Sequence, residues 1–168
     1  MALSEGAQSA SMHPMETGPN CIVAAVDLDE LSAEALRKAA FMANASGARL
    51  LAVHISSQSP PVAPIPLPGT SGLADEAKKA ILQEAESKVR EMIETHLDAD
   101  APKLEIIVRH HPSPAEALCA FAGDQGADLI VVGAHRRSGL GRILLGSVAE
   151  SVVRRAPCDV LVVRPKST

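Results

Sequence analysis

The chain has 168 residues, of which 46% are hydrophobic, and this suffices for one domain with a sizeable core. Aromatic residues make up only 1% (Phe41 and Phe121), which argues against a surface that stacks single-stranded bases. A formal net charge of −4 argues against a general polyanion binder, so we expect no nucleic-acid partner.

The sequence shows no sign of export or membrane insertion. No apolar run reaches the roughly 18 residues that cross a bilayer, and no basic segment followed by an apolar one opens the chain. Cys21, Cys119 and Cys158 match no metal-ligand spacing and lie beside apolar residues, so we expect small, reduced core residues. These features predict a cytoplasmic protein without a membrane partner.

The first predicted elements follow an irregular start. Residues 1–19 are rich in Ser, Gly, Pro and small polar residues without a hydrophobic period, which predicts a disordered arm. The continuous apolar run Cys21–Val26 (CIVAAV) is typical of a strand buried on both faces. Apolar residues then recur at three- and four-residue spacing from Leu31, which predicts a helix that ends near Asn44 to Gly47.

The middle of the chain predicts a strand, a loop insertion, a helix and a strand. Leu50–Ile55 (LLAVHI) is the second buried strand. Residues 56–73 contain prolines at positions 60, 61, 64, 66 and 68, which no helix or central strand accommodates, so we predict a Pro-rich loop insertion. A four-residue apolar step from Ala74 to His96 predicts a long amphipathic helix. Leu104–Val108 is less apolar and predicts a third strand at the sheet edge.

The last third of the chain predicts two further strands, each preceded by a helix. In Ser113-Pro114-Ala115-Glu116 the serine suits an N-cap, the proline the first helical position and the glutamate a capping box, and this helix runs to about Gly123. Asp128–Val132 and Asp159–Val163 are apolar strands, with a helix between them that begins near Ser147. The alternation predicts an α/β fold with an open, mainly parallel five-stranded sheet and helices on both faces.

The stretch Gly133–Ser147 (GAHRRSGLGRILLGS) lies between a predicted strand and a helix N-terminus. Ligands of open α/β sheets bind beyond the carboxyl ends of strands, and the N–H groups of helix N-termini attract anions. The glycines permit close backbone approach, while His135 and three arginines make the loop basic. The stretch therefore predicts an anion site, although it matches neither a P-loop nor a dinucleotide-binding glycine motif.

Several of these residues also have purely structural interpretations. Ser147 can be an N-cap paired with Glu150, and the glycines and arginines can be turn residues and a solvated rim. Asp27, at the tip of the first strand, can contact a ligand or cap the following helix. His54 is interpreted as a hydrogen-bonded core histidine. His110-His111 are interpreted as loop residues, because adjacent residues in extended chain point in opposite directions and no third metal ligand is evident.

Three segments of the chain resemble the universal stress protein family. Residues 22–27 (IVAAVD) resemble its opening strand, residues 50–55 (LLAVHI) its second strand, and residues 127–165 (ADLIVVGAHRRSGLGRILLGSVAESVVRRAPCDVLVVRP) its closing third. The resemblance implies one universal stress protein domain over residues 20–166, with a Rossmann-like fold of the adenine nucleotide alpha hydrolase type. It also implies the sheet order 3-2-1-4-5, with a ligand crevice between strands one and four.

The resemblance also implies a ligand and the residues that hold it. Nucleotide-binding members use a glycine, two residues, a second glycine, nine residues and then Gly-Ser or Gly-Thr to bind phosphates and ribose. This implies ATP or a related adenine nucleotide, with Asp27 on the side of the ribose and of a nucleotide-bound Mg²⁺, and no other metal site. Ala25 and Ile55 would hold the adenine, and the remaining implied residues are Gly133, Gly146, Ser147 and the backbone of Val148.

One position departs from the family pattern, since Arg136 stands where the second glycine is expected. Its side chain can occupy the phosphate channel, or its guanidinium can grip phosphate oxygens bidentately. The sequence leaves both interpretations open. Because the flanking parts of the motif are intact, we favour retained binding and add His135 and Arg136 to the candidate site residues.

The resemblance further implies a homodimer, in which the terminal strand, residues 159–165, pairs antiparallel across a two-fold axis. An apolar edge strand needs cover, and self-pairing supplies it. The resemblance thus implies a small dimeric adenine-nucleotide binding module in stress response or signalling. The alternative is a nucleotide-free interaction dimer in which Arg136 fills the crevice. No paired carboxylates, activated nucleophile or metal cluster are evident, so we expect no dedicated enzyme, and slow ATP hydrolysis stays open as a third alternative.

Overall fold

The computed structural model describes residues 18–57, 71–134 and 145–164. Strands and helices alternate throughout these ranges, as the sequence predicts. In chain order they are β1 (Cys21–Ala25), α1 (Glu30–Ser46), β2 (Arg49–Ser56), α2 (Ser71–His96), β3 (Leu104–His110), α3 (Pro114–Asp124), β4 (Leu129–Gly133), α4 (Ser147–Arg155) and β5 (Asp159–Val163).

The strands form one sheet in the order β3-β2-β1-β4-β5, and every neighbouring pair is parallel. This confirms the predicted fold class and the strand order that the family resemblance implies. β1 is central and pairs with both β2 and β4, which explains why its sequence is apolar without alternation. β3 and β5 are the edge strands, as predicted for β3.

Helices cover both faces of the sheet, and each face has its own apolar core. Ile22 and Ala24 of β1 point to the face that α1 and α2 cover, where Leu36 and Val89 are fully buried. The alternate residue Val23 points to the opposite face, where it packs with residues of α3 and α4. Burying an aliphatic side chain of this size stabilises the fold by about 1.5–3 kcal/mol, so the two cores supply most of the favourable free energy.

The observed element boundaries correct the predicted loop insertion at 56–73. Ser56 belongs to β2 and α2 begins at Ser71, so the insertion is shorter at both ends than predicted, and residues 58–70 lie outside the described residues. β3 continues to His110 because Arg109 and His110 pair in register with the end of β2. The interpretation of His110 as a loop residue is therefore wrong.

The predicted capping box at the start of α3 is also wrong. Pro114 is the first helical residue, as predicted, but the Ser113 side chain makes no capping hydrogen bond. The Ser113 N–H instead donates to Nδ1 of His111 at 3.1 Å. Proline at the first position lacks an N–H that needs a partner, which reduces the demand for a cap.

Two further parts of the prediction concern the chain ends and membranes. The predicted arm, residues 1–19, lies outside the described residues except for Gly18 and Pro19, and so do the last four residues of the chain, 165–168. Among the helices in the described ranges, none is both long enough and apolar enough to cross a membrane.

Candidate functional site

A cavity of about 410 Å³ lies at the carboxyl ends of β1 and β4. α1, which follows β1, covers one face of the sheet, and α4, which follows β4, covers the other. From β1 the chain adds β2 and β3 on one side, whereas β4 and β5 lie on the other side, so the direction of strand order reverses between β1 and β4. Open α/β sheets bind their ligands at such a reversal. The volume falls within the roughly 300–1,000 Å³ that small-molecule sites occupy.

The fold brings the predicted site residues together from distant parts of the chain. All of those that lie within the described residues line this cavity, namely Ala25, Asp27, Ile55, Gly133, Gly146, Ser147 and Val148. His135 and Arg136 belong to residues 135–144, which lie outside the described residues. The role of each residue as a ligand contact stays a prediction.

The N-terminal end of α4 forms one wall of the cavity. Gly146 is the N-cap, and the first intrahelical hydrogen bond runs from the Glu150 N–H to the Gly146 carbonyl at 2.9 Å. The N–H groups of Ser147, Val148 and Ala149 precede that bond, and such N–H groups, together with the helix dipole, attract anions. The wall therefore has the backbone arrangement of an anion site.

The structural interpretation of Ser147 as an N-cap paired with Glu150 is wrong. Ser147 is the first helical residue, and no side-chain hydrogen bond caps α4. Glu150 pairs instead with Arg154, one turn further along the helix. The Ser147 side chain is exposed and lines the cavity.

The turn from β1 to α1 forms the opposite wall. Asp29, not Asp27, caps α1, because its Oδ1 accepts the Ser32 N–H at 2.7 Å, so the capping interpretation of Asp27 is wrong. Leu28 between them has a φ of 59°. This left-handed conformation costs a non-glycine residue about 1 kcal/mol. Such strain persists where surrounding contacts over-determine it, and it is common at functional sites.

Gly133 ends β4 directly against the first turn of α1. A Cβ on Gly133 would lie 3.1 Å from Cγ of Leu31 and 3.3 Å from the Leu31 carbonyl oxygen. Leu31 itself lines the cavity. Glycine avoids a tight contact here because a helix and a strand approach each other closely, and a positive φ plays no part.

Another part of the cavity wall is apolar and combines residues of β1, β2, β4 and α3. Ala25 and Ile55 were predicted from the sequence, whereas Val53, Pro114, Leu118 and Val132 were not. A signal existed for Pro114, because a predicted helix start after a parallel strand lies at the same edge of the sheet as the other strand ends. An apolar wall of this kind suits a planar heterocycle.

The charge of the described wall is negative. Asp27, Asp29 and Glu150 line the cavity, and within the described ranges no Lys or Arg does. The N-terminal ends of α1, α3 and α4 all contribute to the lining, and each carries a partial positive charge that offsets these carboxylates. His135, Arg136, Arg137 and Arg142 belong to residues 135–144, which lie outside the described residues.

Residues away from the cavity have structural roles. His54 is buried and its Nδ1 donates to the Val26 carbonyl at 2.7 Å, which confirms the core histidine. Cys21 and Cys119 are buried, Cys158 is half-buried, and all three are free thiols whose pKa is raised, chiefly by burial. In the part of the chain that the structure describes, no three His, Cys, Asp or Glu side chains form a possible metal site.

Comparisons with known proteins agree with this geometry. The family model described as the universal stress protein family matches residues 20–164. A universal stress protein of Methanocaldococcus jannaschii is 38% identical over 144 residues, which are 85% of this chain and 81% of the relative.

Two solved structures extend the comparison to the fold. Universal stress protein UspA from Lactobacillus plantarum has a TM-score of 0.68 at 25% identity, over 86% of this chain and 97% of that one. A universal stress protein in complex with cAMP has a TM-score of 0.55 at 28% identity, over 88% of this chain and 98% of that one. The chain belongs to the universal stress protein family.

Proposed function

We propose that this protein is a small adenine-nucleotide binding module that acts as a cytoplasmic homodimer in stress response or signalling. The observation that carries the proposal is the convergence of Ala25, Asp27, Ile55, Gly133 and the start of α4 on one cavity of about 410 Å³. The structural relative in complex with cAMP supports an adenine ligand.

The cavity offers a different kind of wall to each part of a nucleotide. The α4 N–H groups from Ser147 to Ala149 suit a phosphate, since a helix N-terminus combines N–H donors with partial positive charge. The apolar wall around Ala25 and Ile55 suits the adenine ring. Asp27 would face the ribose and a Mg²⁺ carried by the phosphates of ATP, because carboxylate oxygens are ligands that Mg²⁺ prefers.

Calorimetric titration with ATP and with cAMP tests this proposal. We expect saturable binding, and we expect Ser147→Ala to weaken it by roughly fivefold, the change that one net hydrogen bond brings. Ser151→Ala is the matched control, because Ser151 lies one turn further along α4 and does not line the cavity. Flat traces with both nucleotides would overturn the proposal.

The alternative function, a nucleotide-free interaction dimer, has one observation in its favour. The carboxylates of Asp27, Asp29 and Glu150 at the cavity would attract a guanidinium as readily as they would repel a phosphate. Arg136→Gly separates the two functions. If Arg136 fills the crevice, the variant gains nucleotide binding that the parent lacks, whereas if Arg136 clamps phosphate, the variant binds more weakly than the parent.

We further propose that the protein binds its nucleotide without a dedicated catalytic role. The cavity lining within the described ranges contains no His, Cys or Lys side chain that could act as a base or nucleophile. An ATP hydrolysis assay tests this. Turnover that disappears in both Asp27→Ala and Ser147→Ala would contradict the proposal and assign catalysis to this site.

A further inference from the structure

Ser32 is a buried polar residue in the first turn of α1, and it lines the cavity with only 3% of its surface exposed. Its Oγ accepts the Asp27 N–H at 2.7 Å, and its own N–H donates to Oδ1 of Asp29 at 2.7 Å. Ser32 therefore bonds to both carboxylate-bearing residues of the β1–α1 turn, through the backbone of one and the side chain of the other.

These two bonds enclose the left-handed Leu28, whose φ is 59°. A non-glycine residue keeps this conformation only where neighbouring contacts hold it. The Asp29 bond is an ordinary N-cap, which secures the helix end of the turn. The Ser32 Oγ bond secures the other end, where the chain leaves β1 and the Asp27 side chain begins.

The chemistry of Asp27 indicates which part of a nucleotide it meets. An ionised carboxylate only accepts hydrogen bonds, and it repels phosphate oxygens. In the proposed function the adenine occupies the apolar wall around Ala25 and Ile55, and the phosphates meet the N–H groups of α4. The remaining nucleotide donors are the sugar hydroxyls, which agrees with the ribose side that the family resemblance implies for Asp27.

We propose that Ser32 is the positioning residue of this site, and that it sets the preference for nucleotides with free sugar hydroxyls by holding Asp27 in place. The inference rests on the proposed nucleotide function. Without the Ser32 hydroxyl, the Asp27 backbone loses the bond that anchors it against the strained turn, and the carboxylate no longer keeps one position relative to the sugar.

The test titrates the full chain with ATP and with 2′,3′-dideoxy-ATP. We expect Ser32→Ala to weaken ATP binding by roughly fivefold, with a change of less than about twofold for the dideoxy nucleotide. Ser46→Ala is the matched control, because Ser46 makes one hydroxyl bond to the Met42 carbonyl at the far end of the same helix. The control is expected to change neither affinity.

Two outcomes would overturn the inference, and they are distinguishable. An equal loss for both nucleotides in Ser32→Ala would show that Ser32 supports the cavity as a whole and not the sugar contact. No binding of either nucleotide by the parent chain would overturn the proposed function, and the inference with it. Amide hydrogen exchange reports on the turn without ligand, and we expect the Asp27 amide to exchange faster in Ser32→Ala but not in Ser46→Ala.

Discussion

At the scale of single residues, Gly133 has a packing role beside its predicted binding role. A methyl group on Gly133 would lie 3.1 Å from the Leu31 Cγ and 3.3 Å from the Leu31 carbonyl oxygen, so the first turn of α1 has to give by a few tenths of an ångström. That turn carries Asp29 and Ser32, so a packing change at Gly133 reaches the cavity through the backbone. Packing and the site are therefore coupled at this residue.

We expect Gly133→Ala to lower the free energy of unfolding by about 1–3 kcal/mol, the usual cost of overpacking. Urea denaturation measures it. The matched control is Gly72→Ala near the start of α2, where an added Cβ meets nothing within 4 Å, and alanine there is expected to be neutral or to stabilise by up to about 1 kcal/mol. Equal stability of Gly133→Ala and the parent would contradict the packing role.

The cysteines make stability depend on pH in the alkaline range. Burial raises the pKa of the Cys21, Cys119 and Cys158 thiols, so the unfolded chain loses these protons at a lower pH than the folded protein does. Stability from this source is complete below the unfolded pKa of about 8.5 and is lost as the pH rises through the folded pKa. We expect urea midpoints to fall more steeply above this pH in the parent than in Cys119→Ala, and parallel curves would contradict the effect.

At the scale of secondary-structure elements, one end of the sheet forms the cavity and the other end carries hydrogen bonds that connect β1 to β4. The carboxyl ends of the strands border the cavity. At the opposite end of the sheet, the Asp128 side chain connects β4 to the start of β1. Oδ2 of Asp128, just before β4, accepts the N–H groups of Asn20 and Cys21 at 2.7 and 3.0 Å. Stability and binding can therefore be changed independently.

Removing this bridge tests the separation. We expect Asp128→Ala to lower the free energy of unfolding by about 1–3 kcal/mol, because two backbone donors lose a charged acceptor. Nucleotide affinity is expected to stay within about twofold of the parent, since the change lies at the far end of the sheet. Asp124→Ala, an exposed carboxylate in α3, is the control for charge removal. Loss of binding in folded Asp128→Ala would contradict independence of the two ends.

At the scale of the whole molecule, β5 determines how two copies would meet. β4 pairs with one side of β5, and the Val163 carbonyl accepts the Ala134 N–H at 2.8 Å. Because successive residues of a strand direct their N–H and C=O groups to alternate sides, Val162 directs its groups to the other side. Within the described ranges no strand pairs with that side, which leaves it suited to self-pairing.

We expect light scattering to give twice the chain mass for the parent and the monomer mass for Val162→Pro. Proline removes an N–H on the open side of β5 and leaves the pairing with β4 intact. Val162→Thr keeps the N–H and the branched side chain, so it is expected to remain a dimer. A parent that is monomeric at all concentrations would contradict the proposed homodimer.

Residue patterns along the chain were enough to predict the elements, the fold class and the edge of the sheet at which the cavity lies. Buried strands such as Cys21–Val26 are apolar without interruption, and helices repeat at three- and four-residue spacing, so burial is visible along the chain. The glycine-rich stretch after β4 likewise identified the carboxyl end of the sheet. The family resemblance added the strand order, which local patterns do not contain.

The residues that share the cavity, and the atoms that each one contacts, became known only from the three-dimensional packing. Val53 and Leu118 reach it through strand register and helix packing, and the contact between Gly133 and Leu31 joins residues about a hundred positions apart. In the sequence Ser32 is an ordinary helix residue. The structure shows that its hydroxyl accepts the Asp27 N–H. Hydrophobic periodicity predicts which residues are buried. It does not predict which residues that are distant in the sequence come into contact, and the binding site depends on those contacts.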